Sequence, residues 1–262
     1  MFDLVPLKTK VGDGLIIAIC YRRDNEKAIM KIVLSEDGSH EQIELPENLV
    51  IHSQFPNIDL RDVCYVAGPY GSGKSTYCEN YIREFINVMP QKDIYLISRI
   101  DNDQAFRGLL EDGVMTQVEL TADIIDDPID CKEELDNSLI IFDDFELLHK
   151  GIQKSVEITI KDCILNGRDQ SGEGRDIYAI ITGHQICDGH RTRDIINESS
   201  SITFFPRAGG LKGIKRILDV HCGFEKEVIS RILNLPSRWV TVYKRYPMWI
   251  MWESGVMIPH RF

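Results

Sequence analysis

A three-layer α/β sandwich around a largely parallel sheet is the fold predicted by this sequence, and three observations predict it. Five short, continuously apolar runs, at 62–67, 93–98, 138–142, 176–182 and 201–205, have the pattern of strands buried on both faces. Two amphipathic stretches, 74–88 and 149–165, lie between them and repeat apolar side chains every three to four positions. Strand and helix alternate along the chain, and that order builds parallel sheets covered by helices.

Ahead of this alternation, 14–20, 28–34 and 41–45 read as short strands separated by turn chemistry at Arg23-Asp24-Asn25 and Glu36-Asp37-Gly38. They predict a small antiparallel β unit. A loop carrying Pro46 and Pro56 follows, so the boundary falls near residue 56, with the β unit at 1–55 and the main domain at 56–262. In 74–88, Tyr77, Tyr81 and Phe85 recur every four residues with Cys78 and Ile82 alongside, one face of a helix packed on a sheet. In 149–165 the same face is formed by Ile152, Val156, Ile160 and Ile164, and Asn166-Gly167 supplies a stop. Beyond 206 come two short helices, about 211–221 and 225–233, then strands around 239–243 and 248–252 with a turn before Pro247. These last strands predict a C-terminal antiparallel extension of the sheet.

With 262 residues, 43% hydrophobic and 27% charged, the chain suits one large α/β domain plus a small appendage. No apolar run approaches the roughly 20 residues of a membrane-spanning helix. The start, MFDLVPLKTK, lacks the basic segment and apolar core of a secretory signal, so a cytosol-like, reducing compartment is expected, without membrane insertion. Seven cysteines at 20, 64, 78, 131, 163, 187 and 222 include no C-x-x-C pair and read as small buried apolar residues. His184, Cys187 and His190, with His221-Cys222 further on, fit no common zinc spacing, so no zinc site is expected. A net charge of −11 argues against a general nucleic-acid coater, because phosphate binding rests on Lys and Arg. It does not argue against a ring that keeps a few basic residues in its pore.

Residues 68–75 read Gly-Pro-Tyr-Gly-Ser-Gly-Lys-Ser and match G-x-x-x-x-G-K-[ST] at every fixed position. An apolar strand runs into the segment and an amphipathic helix runs out, as a phosphate-binding P-loop requires. Glycines let backbone N–H groups turn toward phosphate oxygens without Cβ clashes. Gly68, Pro69, Tyr70, Gly71, Ser72, Gly73, Lys74, Ser75 and Thr76 are therefore the expected cradle for ATP. Lys74 would place its ammonium on the β and γ phosphates, and Ser75 would coordinate Mg²⁺. The helix starting at Lys74 would aim its positive end at the same anion.

Residues 139–144, Leu-Ile-Ile-Phe-Asp-Asp, form a buried strand ending in two carboxylates. Asp143 is expected to hold the magnesium shell and Asp144 to polarise the attacking water. A water-activating acid and the lack of a compact arginine-bearing lid favour hydrolysis over small-molecule kinase chemistry. Strand 176–182 ends in Thr182-Gly183-His184-Gln185, and Gln185 suits a contact to the γ-phosphate or the attacking water. Spacing alone equally describes a polar residue entering a loop. Arg168, in the loop reaching to Arg175, is a candidate arginine finger, with Arg191 and Arg193 as competitors, although a loop arginine is more often a solvated surface charge. The segment Arg207-Ala-Gly-Gly-Leu-Lys212-Gly-Ile-Lys215-Arg216 is the best basic stretch for DNA backbone contact, although its composition also describes a solvated helix start.

Several further segments occur in order: Asn166-Gly167-Arg168, Ile180 through Gln185, Arg191-Thr192-Arg193 through Asn197-Glu198, Ile202-Thr-Phe-Phe-Pro206 and the tail Ser237 through Pro247. Together with the cradle and the Asp-Asp strand, this order resembles the poxvirus and giant-virus DNA-packaging ATPases, a viral branch of the FtsK/HerA motor superfamily, over roughly residues 60–258. The resemblance implies a RecA-like P-loop core in which strand 176–182 lies between the cradle strand and the Asp-Asp strand. It implies a homo-oligomeric ring, hexamer or pentamer, pumping double-stranded DNA into a preformed capsid at a viral assembly site. It also implies Gln185 as polar sensor and Arg168 as a finger reaching the neighbouring subunit's site. Many members of the superfamily carry Asp-Glu where this chain has Asp143-Asp144, so a shorter side chain must reach the water. Residues 1–55 lie outside the resemblance and could dock a capsid or portal-vertex protein or a second subunit. The competing readings are a nucleotide or small-molecule kinase and a slowly hydrolysing ATP-dependent switch.

Overall fold

The computed structural model describes residues 1–100, 103–169 and 171–259, with His190 and Arg191 described in their backbone only. Two sheets organise the chain. The smaller has four antiparallel strands in the order β1-β3-β2-β5: β1 (Phe2–Pro6), β2 (Leu15–Arg22), β3 (Ala28–Leu34) and β5 (Leu49–Ile51), with β4 (Gln42–Glu44) between β3 and β5 in the chain.

The larger sheet is built from β6 (Val63–Ala67), β7 (Asp93–Ser98), β8 (Thr116–Gln117), β9 (Ser138–Asp143), β10 (Tyr178–Gly183), β11 (Ser201–Phe204), β12 (Val240–Tyr243), β13 (Trp249–Trp252) and β14 (Gly255–Met257), with β4 at its edge. Its ten strands follow the order β4-β14-β13-β12-β11-β6-β10-β9-β7-β8. From β11 to β8 all neighbours are parallel, and from β11 to β4 all are antiparallel. The helices are α1 (Lys74–Val88), α2 (Arg107–Glu111), α3 (Cys131–Glu134), α4 (Lys150–Asn166), α5 (Gly189–Glu198), α6 (Leu211–Arg216) and α7 (Lys226–Leu233).

Alternation along the central strands feeds a core on each face. Val63, Tyr65, Ile140, Phe142, Ala179 and Ile181 point into one core, which the apolar stripes of α4, α5 and α7 cover. Cys64, Val66, Leu139, Ile141 and Ile180 point into the other, where they meet Tyr77, Tyr81 and Phe85 of α1 and also Phe2, Ile17 and Ile32 of the small sheet. Because side chains alternate every residue, one buried strand supplies both layers. The α/β class, the parallel centre and the C-terminal antiparallel extension are those predicted.

Several features differ from the sequence expectations. The 41–45 strand leaves the N-terminal unit and, as β4, pairs antiparallel with β14, Ile43 opposite Val256. A free sheet edge accepts any extended segment within reach, and composition does not record which sheet that will be. The N-terminal unit also contains β1 and β5, which the sequence pattern does not predict. The expected 211–221 helix is α6 followed by a π-helical turn at Ile217–His221.

Candidate active site

The loops that carry the cradle, the two aspartates and the groups after β10 and β11 leave the same end of the parallel strands. Gly68 follows β6, Asp144 follows β9, His184 follows β10 and Phe205 follows β11. Strand β10 pairs with β6 on one side and β9 on the other, Thr182 opposite Val66 and Ile181 opposite Phe142. The cradle strand and the Asp-Asp strand are therefore separated by one strand, the RecA-like arrangement, and their loops converge at the carboxyl end where open α/β sheets bind ligands.

The cradle runs from Gly68 to the first turn of α1. Gly68 donates its N–H to the Gly183 carbonyl at 2.9 Å, which ties the loop to the tip of β10. A Cβ at Gly68 would stand 2.7 Å from the Phe205 ring, so only glycine fits there. Gly73 caps α1 at φ 103°, a left-handed conformation that side chains resist. Lys74 is buried and donates from Nζ to the Gly68 carbonyl at 2.9 Å, which folds its ammonium back over the loop. The Ser72 Oγ is buried without a partner among the described residues. Tyr70 is 93% exposed and stands clear of the cradle. Pro69, Phe205, Gly209, Gly210 and Gly213 line a cavity of about 300 Å³ beside the loop, so the predicted basic stretch flanks the cradle, with Lys212, Lys215 and Arg216 exposed.

Asp143 is 1% exposed at the end of β9 and accepts a hydrogen bond from Thr182 Oγ1 at 2.7 Å. Burial raises its carboxyl to about 6, against the Thr182 hydrogen bond; the Asp144 and Asp103 carboxylates add to the rise and Lys74 opposes it. Asp144 lies next in the chain at φ 48°, with its N–H on Thr182 Oγ1 at 3.3 Å and its Oδ1 2.9 Å from His184 Nε2. Glu146 accepts the His184 backbone N–H at 3.2 Å, and burial raises its carboxyl as well.

The donor set suits a magnesium–nucleotide complex. Asp143 and the half-buried Ser75 offer hard oxygens, and a buried carboxylate raised by desolvation is stabilised in its charged form by a cation. The unpartnered Ser72 hydroxyl and the glycine-lined loop provide for phosphate oxygens.

Gln185 lines the same cavity as Gly68 and Pro69, and the remaining predicted residues fall elsewhere. Gln185 is exposed, and its carbonyl accepts from Tyr65 OH at 2.9 Å; the strand-tip group on the carboxylates is Thr182. Thr182 carries no signal in the sequence, because its partner is on a strand about 40 residues away. Arg168 is exposed in the loop before β10, at the opposite end of the sheet from the cradle of its own chain. A six-residue strand such as β10 separates the two ends by about 20 Å. Arg193 is exposed on α5 beside Asp194, and the side chains of Arg191 and His190 lie outside the described residues. Cys187 is half-buried, His221 bonds Asn197, and among the described residues no three metal-ligating side chains gather. No described helix is long and apolar enough to cross a membrane.

Fold and loop arrangement together are those of a RecA-like P-loop core, as the resemblance to FtsK/HerA-type packaging ATPases implies. The chain belongs to the same family as the uncharacterized protein V3 of Sputnik virophage, with which it is 32% identical over 223 residues, 84% of this chain and 85% of the relative. No protein-family model matches it. Among solved structures, it is similar to the genome packaging NTPase B204 of Sulfolobus turreted icosahedral virus 2 in complex with sulfate, at 10% identity and TM-score 0.45 over 77% of this chain and 98% of that one. The pCW3 conjugation coupling protein TcpA with ATPγS gives 10% identity and TM-score 0.46 over 94% and 78%. The cytoplasmic domain of the type VII secretion ATPase EccC of Thermomonospora curvata gives 9% and 0.49 over 82% and 28%.

Proposed function

We propose that this chain is an ATP-hydrolysing motor subunit that moves double-stranded DNA into a preformed capsid at a viral assembly site. The observation that carries the hydrolytic part is the meeting of cradle and Asp143-Asp144 at one sheet end, with Thr182 of the intervening strand on both aspartates. The packaging part rests on the family shared with a virophage protein and on the order of motifs along the chain.

Lys74 and backbone N–H groups of the loop between Tyr70 and Thr76 bind and orient the phosphates. Ser75 and Asp143 would hold Mg²⁺, which when bound neutralises charge gathering on the transferred phosphoryl group. Asp144 accepts a proton from water as the water oxygen bonds the γ-phosphorus. The bond from phosphorus to the β–γ bridging oxygen breaks, ADP leaves with the electron pair, and the proton departs with inorganic phosphate. Gln185, on the loop after β10, is proposed to approach the water once nucleotide is bound.

Arg168 lies at the far end of the sheet from its own cradle, so its proposed role as finger is in a neighbouring subunit's site of a homo-oligomeric ring. The exposed Arg207–Arg216 stretch is the proposed DNA contact. Residues 1–55 are proposed as the contact to a capsid or portal-vertex protein or to a second subunit, and 56–262 as the motor.

Steady-state ATP hydrolysis by assembled protein, with and without double-stranded DNA and beside Asp144→Asn, tests this reading. DNA-stimulated turnover that the variant loses is expected. Turnover indifferent to DNA would remove the motor, and phosphoryl transfer to an added acceptor in place of water would remove the hydrolase.

A further inference from the structure

We propose that His184 is the positioning residue for Asp144, fixing one oxygen of its carboxylate so that the other faces the attacking water; this rests on the hydrolytic reading above. Asp144 has a single methylene between backbone and carboxylate, so its aim depends on the backbone and on whatever holds the carboxylate. Both are unusual here. The backbone is left-handed at φ 48°, ψ 25°, a conformation that non-glycine residues seldom adopt unless the surroundings impose it. Its N–H is tethered to Thr182 Oγ1, the same hydroxyl that donates to Asp143.

The carboxylate Oδ1 lies 2.9 Å from His184 Nε2. That nitrogen is fully buried, and its hydrogen-bond geometry is not closed. His184 is itself anchored, since its backbone N–H is held by Glu146 Oε2 at 3.2 Å. Two tips, those of β9 and β10, are thus cross-tied: Thr182 to Asp143 and Asp144, His184 to Asp144, and Glu146 back to His184. A base oriented by a third group is the general arrangement by which a carboxylate or imidazole is kept on its target. His184 takes no part in the bond changes. It holds Oδ1 and leaves Oδ2 as the acceptor.

The test compares wild type, His184→Ala, His184→Gln and the double variant His184→Ala/Asp144→Glu in the full chain. Steady-state ATP hydrolysis and equilibrium binding of a non-hydrolysable ATP analogue are measured for each. His184→Ala should lower kcat on the order of ten- to a hundredfold while KM and analogue affinity stay put, because binding does not depend on where Asp144 points. Gln, which keeps a donor at similar reach, should restore much of the loss. Asp144→Glu should restore turnover in the Ala background, since a longer side chain reaches the water without the imidazole. Independently of turnover, His184→Ala and Asp144→Asn should shift the thermal midpoint of nucleotide-free protein non-additively. Wild-type kcat in His184→Ala, or additive midpoint shifts, would overturn the assignment. A wild-type chain with no turnover at all would instead remove the hydrolytic reading on which it rests.

Discussion

The two ends of the parallel sheet differ in what their buried polar groups are bonded to. At the end where the strands begin, Arg61 and Asp62 are 8% and 1% exposed and fully engaged. The Arg61 guanidinium donates to the carbonyls of Cys163, Ile164 and Ile177, which closes the C-terminus of α4 onto the start of β10. Asp62 accepts from the Asn57 N–H, Tyr81 OH and Ser200 Oγ at 3.0–3.2 Å. At the end where the strands finish, Lys74 rests on the carbonyls of its own loop, Ser72 Oγ has no described partner and Asp144 sits at positive φ. One set of polar groups is satisfied by the chain and holds the fold. The other is left for a ligand to satisfy, which is how a preorganised site differs from a structural network.

Substitutions at the two ends should therefore separate activity from stability. Lys74→Ala has the largest expected effect, a loss of ATP turnover on the order of 10²–10³ or more, with the thermal midpoint moving by no more than about 2 °C. A midpoint that falls steeply would place Lys74 among the structural groups and break the contrast. Arg61→Ala should do the reverse, costing about 3–5 kcal/mol in urea denaturation because buried carbonyls lose their donor, with turnover per folded molecule retained.

Asp62 sharpens the contrast through pH. Burial raises its carboxyl from 3.8 to about 6, opposed chiefly by the Asn57 N–H. The folded chain therefore holds this proton more tightly than the unfolded chain. The associated stability is complete below about pH 4 and is lost as pH rises through about 6, of the order of 2–3 kcal/mol. Asp62→Asn should remove that part of the slope in urea titrations, while Asp143, raised in the same way, keeps its own share. An unchanged slope would show that Asp62 does not carry it. The smallest effect is expected of Arg175→Ala: its ion pair with Asp136 is short, 2.6 Å, but lies on the surface, so the unfolding midpoint should not move measurably.

The sequence made the cradle legible because its determinants are contiguous. Gly68 through Thr76, the strand before and the helix after are all local, and helix 74–88 was bounded by its own periodicity at the residues where α1 begins and ends. Strands 93–98 and 138–142 were legible for the same reason, since continuous apolar runs between turn residues need no tertiary knowledge. The 99–137 stretch, with α2, β8 and α3, is not legible, because elements of two to five residues carry no period.

Thus the sequence by itself determined the fold class, the phosphate cradle and the pair of carboxylates that end a buried strand. Only the tertiary structure decided that Thr182 and His184 are their partners, that Arg168 faces away from its own cradle and that β4 completes the large sheet rather than the small one. The reason is physical. Backbone conformation and burial pattern are written in neighbouring residues, whereas register and strand order are set by which edges meet when the core closes, and a hydrogen bond between two strand tips exists only after they do.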